Sequence, residues 1–303
     1  MNTRITVLDG AMGDELVARA KPSSTGLWSA EALLQEPELV ASVHQDYIDA
    51  GARVIITNTY STIPSYLEKA GLEQEYVRLA TRAGEIARAT ADASTEQVTV
   101  AGSIPPLSES YRPDMVPAAD IARPIYRNLV KALIPFVDVF LCETMSSAEE
   151  ARNAVAGVSE TLQESGDVRP VWASWTLSEQ PGEGLRSGQS VAEAMDALAP
   201  YPVDAFLFNC TDPAAITAAL AQLRELTDKP IGAYPNRCYI PPGWTLDNNV
   251  RTEYHDMTSE QFLYHCQQWA DLGATMFGGC CGIGPDLIAS LAQWAAAQDG
   301  QPN

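Results

Sequence analysis

The chain has 303 residues, of which 46% are hydrophobic and 8% aromatic, enough to bury the core of one large domain or two small ones. Asp and Glu total 39 against 19 Lys and Arg, and the formal net charge of −20 argues against nucleic acid and anionic membranes as partners. The start carries no secretory signal, and no apolar run approaches the about 20 residues that cross a bilayer. We therefore expect a soluble, cytoplasmic protein whose six cysteines are reduced.

Strand-like and helix-like stretches alternate along the whole chain. Eight runs are rich in β-branched, aromatic and other apolar residues. Several of them are almost continuously apolar, which is typical of buried parallel strands. The predicted strands are residues 5–9, 53–60, 98–104, 137–144, 170–177, 204–211, 231–236 and 275–281.

Helix starts and helix faces are recognisable between these strands. Residues with capping spacing precede several helical stretches, and apolar residues recur at helical spacing, so that outer helices would pack onto the strands. The capping pairs are Ser146 with Glu149, Ser190 with Glu193, Thr258 with Gln261 and Asp212 with Pro213. The apolar faces are Val40, Val43 and Tyr47, then Ile216, Leu220 and Leu223, then Leu287, Leu291 and Trp294.

Eight β-α units in a chain of this length predict an α/β fold, a single (β/α)8 barrel domain over residues 1–303. A doubly wound open sheet is the alternative, but residues 9–13 lack the G-x-G-x-x-G order of a dinucleotide-binding turn. In a barrel the chemistry lies where strands end. The long connection 236–257 predicts a functional loop. The notable strand-end residues are Asp9-Gly10, Asn58-Thr59-Tyr60, Glu143-Thr144, Asn209-Cys210, Tyr234-Pro235-Asn236 and Cys280-Cys281.

Two adjacent cysteines stand in the run Gly-Gly-Cys-Cys-Gly, residues 278–282. Neighbouring side chains of a regular strand point to opposite faces, but three glycines give the backbone the freedom to turn both sulfurs to one side. Closure of the barrel would bring Cys210 to the same rim as Cys280 and Cys281. Three thiolates form an incomplete tetrahedron, which favours zinc with a fourth position open to water, substrate or another thiol.

Other interpretations of the cysteines stay open at this point. Buried cysteines also serve as small apolar residues, and a vicinal disulfide is a strained alternative for the adjacent pair. We expect Cys142, Cys238 and Cys266 to be structural, although Cys238 lies in a loop from which it could reach a metal as a fourth ligand. A zinc-binding or redox-sensing barrel without enzymatic activity is therefore an alternative function.

Several segments resemble the homocysteine S-methyltransferases, which include the S-methylmethionine and betaine enzymes and the homocysteine module of cobalamin-dependent methionine synthase. The resemblance covers nearly the whole chain and is most specific at GGCCG with the upstream Asn-Cys. Two segments, PPGWTLDNNVRTEY and SWTLSEQPGEGLRSG, depart from the family and do not identify a subgroup. The similar segments are LDGAMGDEL, LWSAEALLQEPELVASVHQDYIDAGARVIITNTY, CET, FNC, YPN and GGCCG.

The resemblance implies that Cys210, Cys280 and Cys281 bind Zn²⁺ and that the homocysteine sulfur takes the fourth position. A free thiol is only a few per cent thiolate at neutral pH, and zinc binding deprotonates it. The activated sulfur would then attack the methyl group of a donor and give methionine. The sequence leaves selenols or other thiols open as acceptors, and it leaves the oligomeric state open.

The resemblance also implies contacts to the amino acid part of homocysteine. Glu143 is expected to bind the α-ammonium, and the Asp9-Gly10 turn is expected to offer N–H groups to the carboxylate. Glu143 paired with an arginine, and Asp9 as a helix cap, are the structural alternatives. Asn209, Tyr60, Tyr234 and Asn236 are expected to line or orient the site, with simple packing as the alternative for each.

A small onium compound is the expected methyl donor. The chain shows no Rossmann turn for S-adenosylmethionine and is one barrel long, without folate and cobalamin modules. A sulfonium leaves as a neutral thioether, which favours S-methylmethionine, with dimethylsulfoniopropionate or betaine as alternatives. Trp28 is the expected donor-side aromatic, and we expect Trp172 and Trp294 to pack in the core. Further aromatic residues available to hold a cation are Tyr60, Tyr111, Trp175 and Trp244.

Overall fold

The computed structural model describes residues 4–20, 27–241 and 256–299. Within them, eight parallel strands form one sheet in the order β1-β8-β7-β6-β5-β4-β3-β2. A parallel bridge between Leu8 and Val54 joins the first strand to the second and closes the sheet into a barrel. The predicted (β/α)8 barrel is therefore confirmed. The strands are β1 Thr6–Val7, β2 Val54–Ile56, β3 Thr99–Ile104, β4 Val139–Met145, β5 Val171–Trp175, β6 Ala205–Asn209, β7 Ile231–Tyr234 and β8 Met276–Phe277.

Helices connect the strands and cover the outside of the barrel. None of the helices in the described residues is long and apolar enough to cross a membrane. The helices are α1 Met12–Arg19, α2 Ser29–Gln35, α3 Pro37–Asp49, α4 Pro64–Leu67, α5 Tyr76–Ala93, α6 Ala119–Leu133, α7 Ala148–Ser165, α8 Val191–Leu198, α9 Pro213–Leu226, α10 Ser259–Asp271 and α11 Pro285–Asp299, with short 3-10 turns at Glu68–Ala70, Glu73–Glu75 and Pro113–Met115.

Three of the predicted helix starts are confirmed and one is wrong by a residue. Capping boxes open α8 and α10, and an aspartate before proline caps α9. Helix α7 is capped by Ser147, whose Oγ accepts from the Glu150 backbone N–H at 3.1 Å, and not by Ser146. Ser146 instead donates from its N–H and its hydroxyl to the buried Glu150 carboxylate. Two adjacent serines allow either register, and the burial of Glu150 selects this one.

The alternation of side chains along each strand divides the core in two. Inward residues such as Leu141 and Leu207 fill the barrel, with the half-buried Trp172 against them, while outward residues such as Phe208 pack under the helices. Gly232 gives the barrel interior the room it needs, because a Cβ there would lie 2.5 Å from the Met276 carbonyl oxygen. Trp294 packs against Phe277 with ring centroids 6.0 Å apart. Both tryptophans expected to pack therefore do so.

Candidate active site

Three cysteine sulfurs lie together at the carboxyl ends of β6 and β8. Cys210 follows the last residue of β6, and Cys280 and Cys281 follow β8 after two glycines. The Sγ atoms of Cys210, Cys280 and Cys281 all lie within 4.8 Å of one another. Barrel closure thus joins residues that stand 70 positions apart in the chain.

The backbone after β8 leaves strand geometry, and several contacts hold it. A Cβ at Gly279 would lie 2.1 Å from the Ile283 side chain, so only glycine fits there. Cys280 N–H donates to the Pro235 carbonyl at 2.8 Å, and Cys281 N–H donates to Asn236 Oδ1 at 3.2 Å. These contacts with the end of β7 present both adjacent sulfurs to one side.

In this structure Cys210 and Cys280 are joined by a disulfide, whereas the sequence predicted six reduced thiols. Sulfurs gathered for one ion are also within reach of one another, and a metal can bind them only as thiolates. The reduced form of the three fits zinc by its chemistry, since three soft anionic donors suit that ion and leave one position for another ligand. The disulfide and the metal-bound form are therefore mutually exclusive states of the same residues.

A cavity of about 110 Å³ opens beside the cysteines. Nine of the eleven predicted site residues line it. They are Asp9, Gly10, Trp28, Tyr60, Glu143, Cys210, Tyr234, Cys280 and Cys281. Other lining residues, such as Met12, Thr57 and Ser110, carried no signal in the sequence beyond their place near a strand end.

Backbone strain is concentrated at this cavity. Among the described residues, the non-glycine positions with positive φ are Trp28 at 46°, Tyr111 at 63°, Thr144 at 60° and Cys210 at 51°, and all four line the cavity. Such residues cost about 1–3 kcal/mol each and persist only where the surroundings fix them. Their clustering marks the cavity as the functional site of the barrel.

Glu143 projects from β4 into the cavity and is buried. Its Oε1 accepts from Ser103 Oγ at 2.5 Å, and its Oε2 accepts from the Tyr234 hydroxyl at 3.2 Å. Burial raises the pKa of Glu143 to about 7, although these two hydrogen bonds oppose the shift. Within the described residues it forms no ion pair, so the alternative of an arginine partner is not found.

Asp9 is a second buried carboxylate of the same cavity. Its Oδ2 accepts from the Ile56 N–H at 2.8 Å, while its Oδ1 is buried and makes no hydrogen bond among the described residues. Burial, and then the charge of Glu143, raise the pKa of Asp9 well above its ordinary value. Helix α1 is preceded by Ala11 without a side-chain cap, so Asp9 is not a helix cap. Two desolvated carboxylates thus face one cavity and need a cation.

The turn at Asp9 and Gly10 offers fewer N–H donors to a carboxylate than the sequence predicted. Asp9 N–H donates to the Val54 carbonyl at 2.9 Å and Ala11 N–H to the Ile283 carbonyl at 3.0 Å. Only the Gly10 N–H of this turn makes no hydrogen bond among the described residues. A Cβ at Gly10 would lie 2.2 Å from the Ile283 carbonyl oxygen, so the position requires glycine.

An aromatic wall faces the carboxylates and cysteines. The Trp28 ring meets Tyr60 edge to face with centroids 6.3 Å apart, and the Tyr60 and Ser110 hydroxyls hydrogen-bond at 2.7 Å. Tyr111 also lines the cavity, and the Arg186 guanidinium lies 5.0 Å from its ring centroid. A Cβ at Gly13 would fall 2.0 Å from the Trp28 ring, so this glycine makes room for the tryptophan.

One candidate cation-binding aromatic does not belong to this wall, and another lies outside the described residues. Trp175 points away from the barrel interior and is fully buried under the helices, where it stacks on Phe206 with ring centroids 5.9 Å apart. The expectation that it could hold a cation was therefore wrong. Trp244 and most of the predicted 236–257 loop lie outside the described residues, which resume at Asp256.

Asn209 and Asn236 are buried beside the cavity and do not line it. Asn209 Oδ1 accepts from the Thr144 N–H at 3.0 Å and from Ser174 Oγ at 2.7 Å, and its Nδ2 donates to Thr144 Oγ1 at 2.7 Å. Asn209 therefore holds the strained residue that follows Glu143. Asn236, through its contact with the Cys281 N–H, orients the cysteine turn.

The sequence profile of the homocysteine S-methyltransferase family matches residues 6–295. The chain belongs to this family. It is 33% identical over 303 residues to the homocysteine S-methyltransferase of Escherichia coli strain K12, an alignment that covers 95% of this chain and 94% of that relative. It is 27% identical over 328 residues to the selenocysteine methyltransferase of Astragalus bisulcatus, covering 95% of this chain and 91% of that relative.

Solved structures of the family have the same fold. The metallated form of the homocysteine methyltransferase MmuM from Escherichia coli superposes with a TM-score of 0.78 and 31% identity, covering 96% of both chains. The oxidised form of MmuM gives a TM-score of 0.78 and 30% identity, also over 96% of both chains. Over nearly its whole length, this chain is therefore similar to a homocysteine methyltransferase whose structure has been solved both with metal and in an oxidised form.

Proposed function

We propose that the protein transfers a methyl group from a small onium donor to the sulfur of L-homocysteine, giving methionine, with zinc bound by Cys210, Cys280 and Cys281. One observation carries this proposal: three cysteine sulfurs and two uncompensated buried carboxylates line the same cavity. An amino acid with a thiol side chain satisfies both sets of groups at once. Family membership supports the same acceptor.

The carboxylates would bind the α-ammonium group of homocysteine. Glu143 has both oxygens held by hydroxyl donors, whereas Asp9 has one oxygen without a partner among the described residues, so each can accept from an ammonium N–H. The cation would lower the pKa of both groups and keep them charged at neutral pH. The substrate carboxylate would accept from the Gly10 N–H, on the other side of the α-carbon.

The three cysteines would hold Zn²⁺, which supplies a thiolate form of the substrate sulfur near neutral pH. The chain itself would orient the sulfur of homocysteine. The carboxylates of Asp9 and Glu143 would hold the amino acid end of the substrate, and the cysteine turn would hold its thiol end. Buried side chains around Asn209 and Asn236 would keep both ends rigid. This arrangement needs reduced cysteines, as expected for a cytoplasmic enzyme.

The methyl donor would lie against the aromatic wall. A cation over such ring faces gains about 0.5–2 kcal/mol, and Trp28, Tyr60 and Tyr111 line the cavity together. S-methylmethionine is the favoured donor because its sulfonium leaves as a neutral thioether, and dimethylsulfoniopropionate and betaine are the alternatives. A selenol acceptor is a second candidate, supported by the similarity to a selenocysteine methyltransferase.

The direct test is methionine formation by zinc-loaded, reduced protein with homocysteine and each donor in turn. Glu143→Gln is the variant to compare with the wild type, because it keeps the cysteines and removes one carboxylate charge from the cavity. We expect methionine with S-methylmethionine and much less with the variant. No methionine with any of the three donors, or a metal site that already has four protein sulfurs by X-ray absorption, would overturn the proposal in favour of a structural zinc barrel.

A further inference from the structure

Asp14 is a third acidic side chain of the active-site cavity, and none of the substrate contacts proposed above uses it. It lies in the first turn of α1, is half-buried, and lines the cavity together with Asp9 and Glu143. No lysine, arginine or histidine is among the described residues that line the cavity. Since Asp9 and Glu143 are assigned to the ammonium group of homocysteine, the charge of Asp14 is left for the other substrate.

A hydrogen bond fixes the Asp14 carboxylate next to the cysteine turn. Its Oδ2 accepts from the Gly282 N–H at 2.6 Å, one residue after Cys281. The same segment is also held to the turn after β1, because the Ala11 N–H donates to the Ile283 carbonyl at 3.0 Å. The carboxylate therefore cannot turn away from the cysteines without losing a charge-assisted hydrogen bond.

The aromatic wall lies on the other side of Asp14. Trp28 packs on Gly13, the residue before Asp14, so closely that a Cβ at Gly13 would lie 2.0 Å from the ring. Asp14 thus joins the ring proposed to hold the methyl donor to the turn that carries two of the sulfurs. In the proposed reaction the methyl group passes between these two places, so the positive charge of the donor lies near this carboxylate.

We propose that Asp14 is a specificity-determining residue for the methyl donor, with its carboxylate as the counter-charge of the onium group. Opposite charges within several ångströms attract strongly where the surrounding protein screens them less than water does. A sulfonium donor is cationic at its sulfur, whereas the thioether left after transfer is neutral there, so Asp14 favours the donor over its product. This inference deepens the proposed function and rests on its assignment of an onium donor.

The transfer step determines which kinetic constant Asp14 affects. The homocysteine sulfur forms a bond to the methyl carbon, the bond from that carbon to the donor sulfur breaks, and its electron pair stays on the donor sulfur, which loses its positive charge. The charge is therefore weaker in the transition state than in the bound donor, and Asp14 strengthens donor binding more than it assists the chemical step. Loss of the carboxylate should raise the KM of the donor without lowering kcat.

The test compares S-methylmethionine with homoleucine, which has the same shape but an uncharged CH group in place of the sulfonium. Asp14→Asn removes the charge and keeps an oxygen for the Gly282 N–H. Glu15→Gln is the matched control, because it removes a charge from the same helical turn, while Glu15 pairs with Arg19 and is not among the described residues that line the cavity. The KM of S-methylmethionine and the inhibition constant of homoleucine against it are measured at saturating homocysteine, on zinc-loaded, reduced protein of known zinc content.

We expect Asp14→Asn to raise the KM of S-methylmethionine about 10-fold, with kcat not lowered and with zinc content and homoleucine inhibition unchanged. Glu15→Gln should leave all four quantities near the wild-type values. An unchanged KM in Asp14→Asn, or an equal weakening of homoleucine, would overturn this inference alone. Loss of zinc from Asp14→Asn would make Asp14 a support of the cysteine turn and overturn it too. A wild-type protein that forms no methionine with any onium donor would overturn the proposed function itself.

Discussion

Asp9 and Glu143 project into one cavity from the ends of two different strands, and neither forms an ion pair within the described residues. Both are buried, and the charge of Glu143 adds to burial in raising the pKa of Asp9. A structural ion network would neutralise such a pair, whereas a binding site leaves the neutralisation to its ligand. The unpaired carboxylates are therefore the strongest sign that a cationic group belongs in this cavity.

Glu143→Gln should weaken homocysteine binding about 10–100-fold while zinc is retained, because a charge-assisted hydrogen bond to the ammonium contributes about 1.5–3 kcal/mol. Glu150→Gln is a matched control, since Glu150 is also buried with its pKa raised to about 7 but lies outside the cavity. Calorimetric titration of zinc-loaded protein with homocysteine measures the effect. Equal weakening by both variants would point to a general loss of structure and not to a ligand contact.

The same two glutamates should make stability depend on pH. Burial raises the pKa of Glu143 and of Glu150 from 4.5 to about 7, so between these values the folded protein keeps protons that the unfolded chain has released. The free energy of unfolding therefore falls as the pH rises from about 4.5 through about 7, by on the order of 1–3 kcal/mol for each group. Glu143→Gln should reduce this fall, measured by urea unfolding of reduced, metal-free protein at pH 5 and pH 8. A fall as steep as that of the wild type would contradict the assignment.

Single replacement of Cys210, Cys280 or Cys281 by alanine should abolish stoichiometric zinc and leave the circular dichroism spectrum unchanged. The three sulfurs line the cavity at the barrel rim, so their loss should cost little packing. Cys142→Ala provides the contrast, because that thiol is fully buried under the helices and should retain zinc while losing some stability. Elemental analysis of each purified variant decides the matter, and normal zinc content in Cys281→Ala would refute the ligand assignment.

Trp28→Ala should raise the KM for the methyl donor more than the KM for homocysteine. The Trp28 ring borders the cavity and meets Tyr60, and its loss removes one cation-binding face worth about 0.5–2 kcal/mol, a change of about 2–30-fold. Trp294→Ala is the control, since that ring packs on Phe277 outside the cavity. Steady-state kinetics with both substrates varied would show the difference. Unchanged donor kinetics in Trp28→Ala would move the donor site elsewhere.

The barrel and most of its site residues were predictable from the sequence. They depend on the apolar pattern of each strand and on the order of the strands around the barrel. Eight apolar runs predicted eight strands, and closure of parallel strands necessarily places Cys210 near Cys280. What escaped prediction depends on the register of single strands. Trp172 and Trp175 differ by an odd number of positions in β5, so one points into the barrel and the other outward, and only the position of strand pairing decides which.

Contacts between distant loops were also not predictable. The hydrogen bond from the Arg237 N–H to the Cys281 carbonyl depends on how the segment after β7 crosses the end of β8, and no spacing in the sequence encodes that path. The same holds for Arg186 and Tyr111, which come from loops after β5 and β3. Their contact becomes visible only when the barrel rim is assembled.

The ion pair between Arg186 and Glu179 should hold the outer side of this rim. The two side chains are 8% and 5% exposed and 2.5 Å apart, and Arg186 also contacts the face of Tyr111. Arg186→Met leaves the Glu179 carboxylate buried without its cation, which typically costs about 3–5 kcal/mol. We expect that loss in urea unfolding, together with a higher donor KM because Tyr111 loses its support.

A double variant, Arg186→Met with Glu179→Gln, separates the two effects of that pair. Removal of the unpaired charge should restore most of the free energy of unfolding, while the donor KM should stay raised because Tyr111 still lacks the guanidinium. Arg127→Met, which breaks an exposed pair with Glu164 on the helix surface, should change neither quantity much. If the double variant regained a normal donor KM, Arg186 would act only through the burial of Glu179, and its support of the aromatic wall would be disproved.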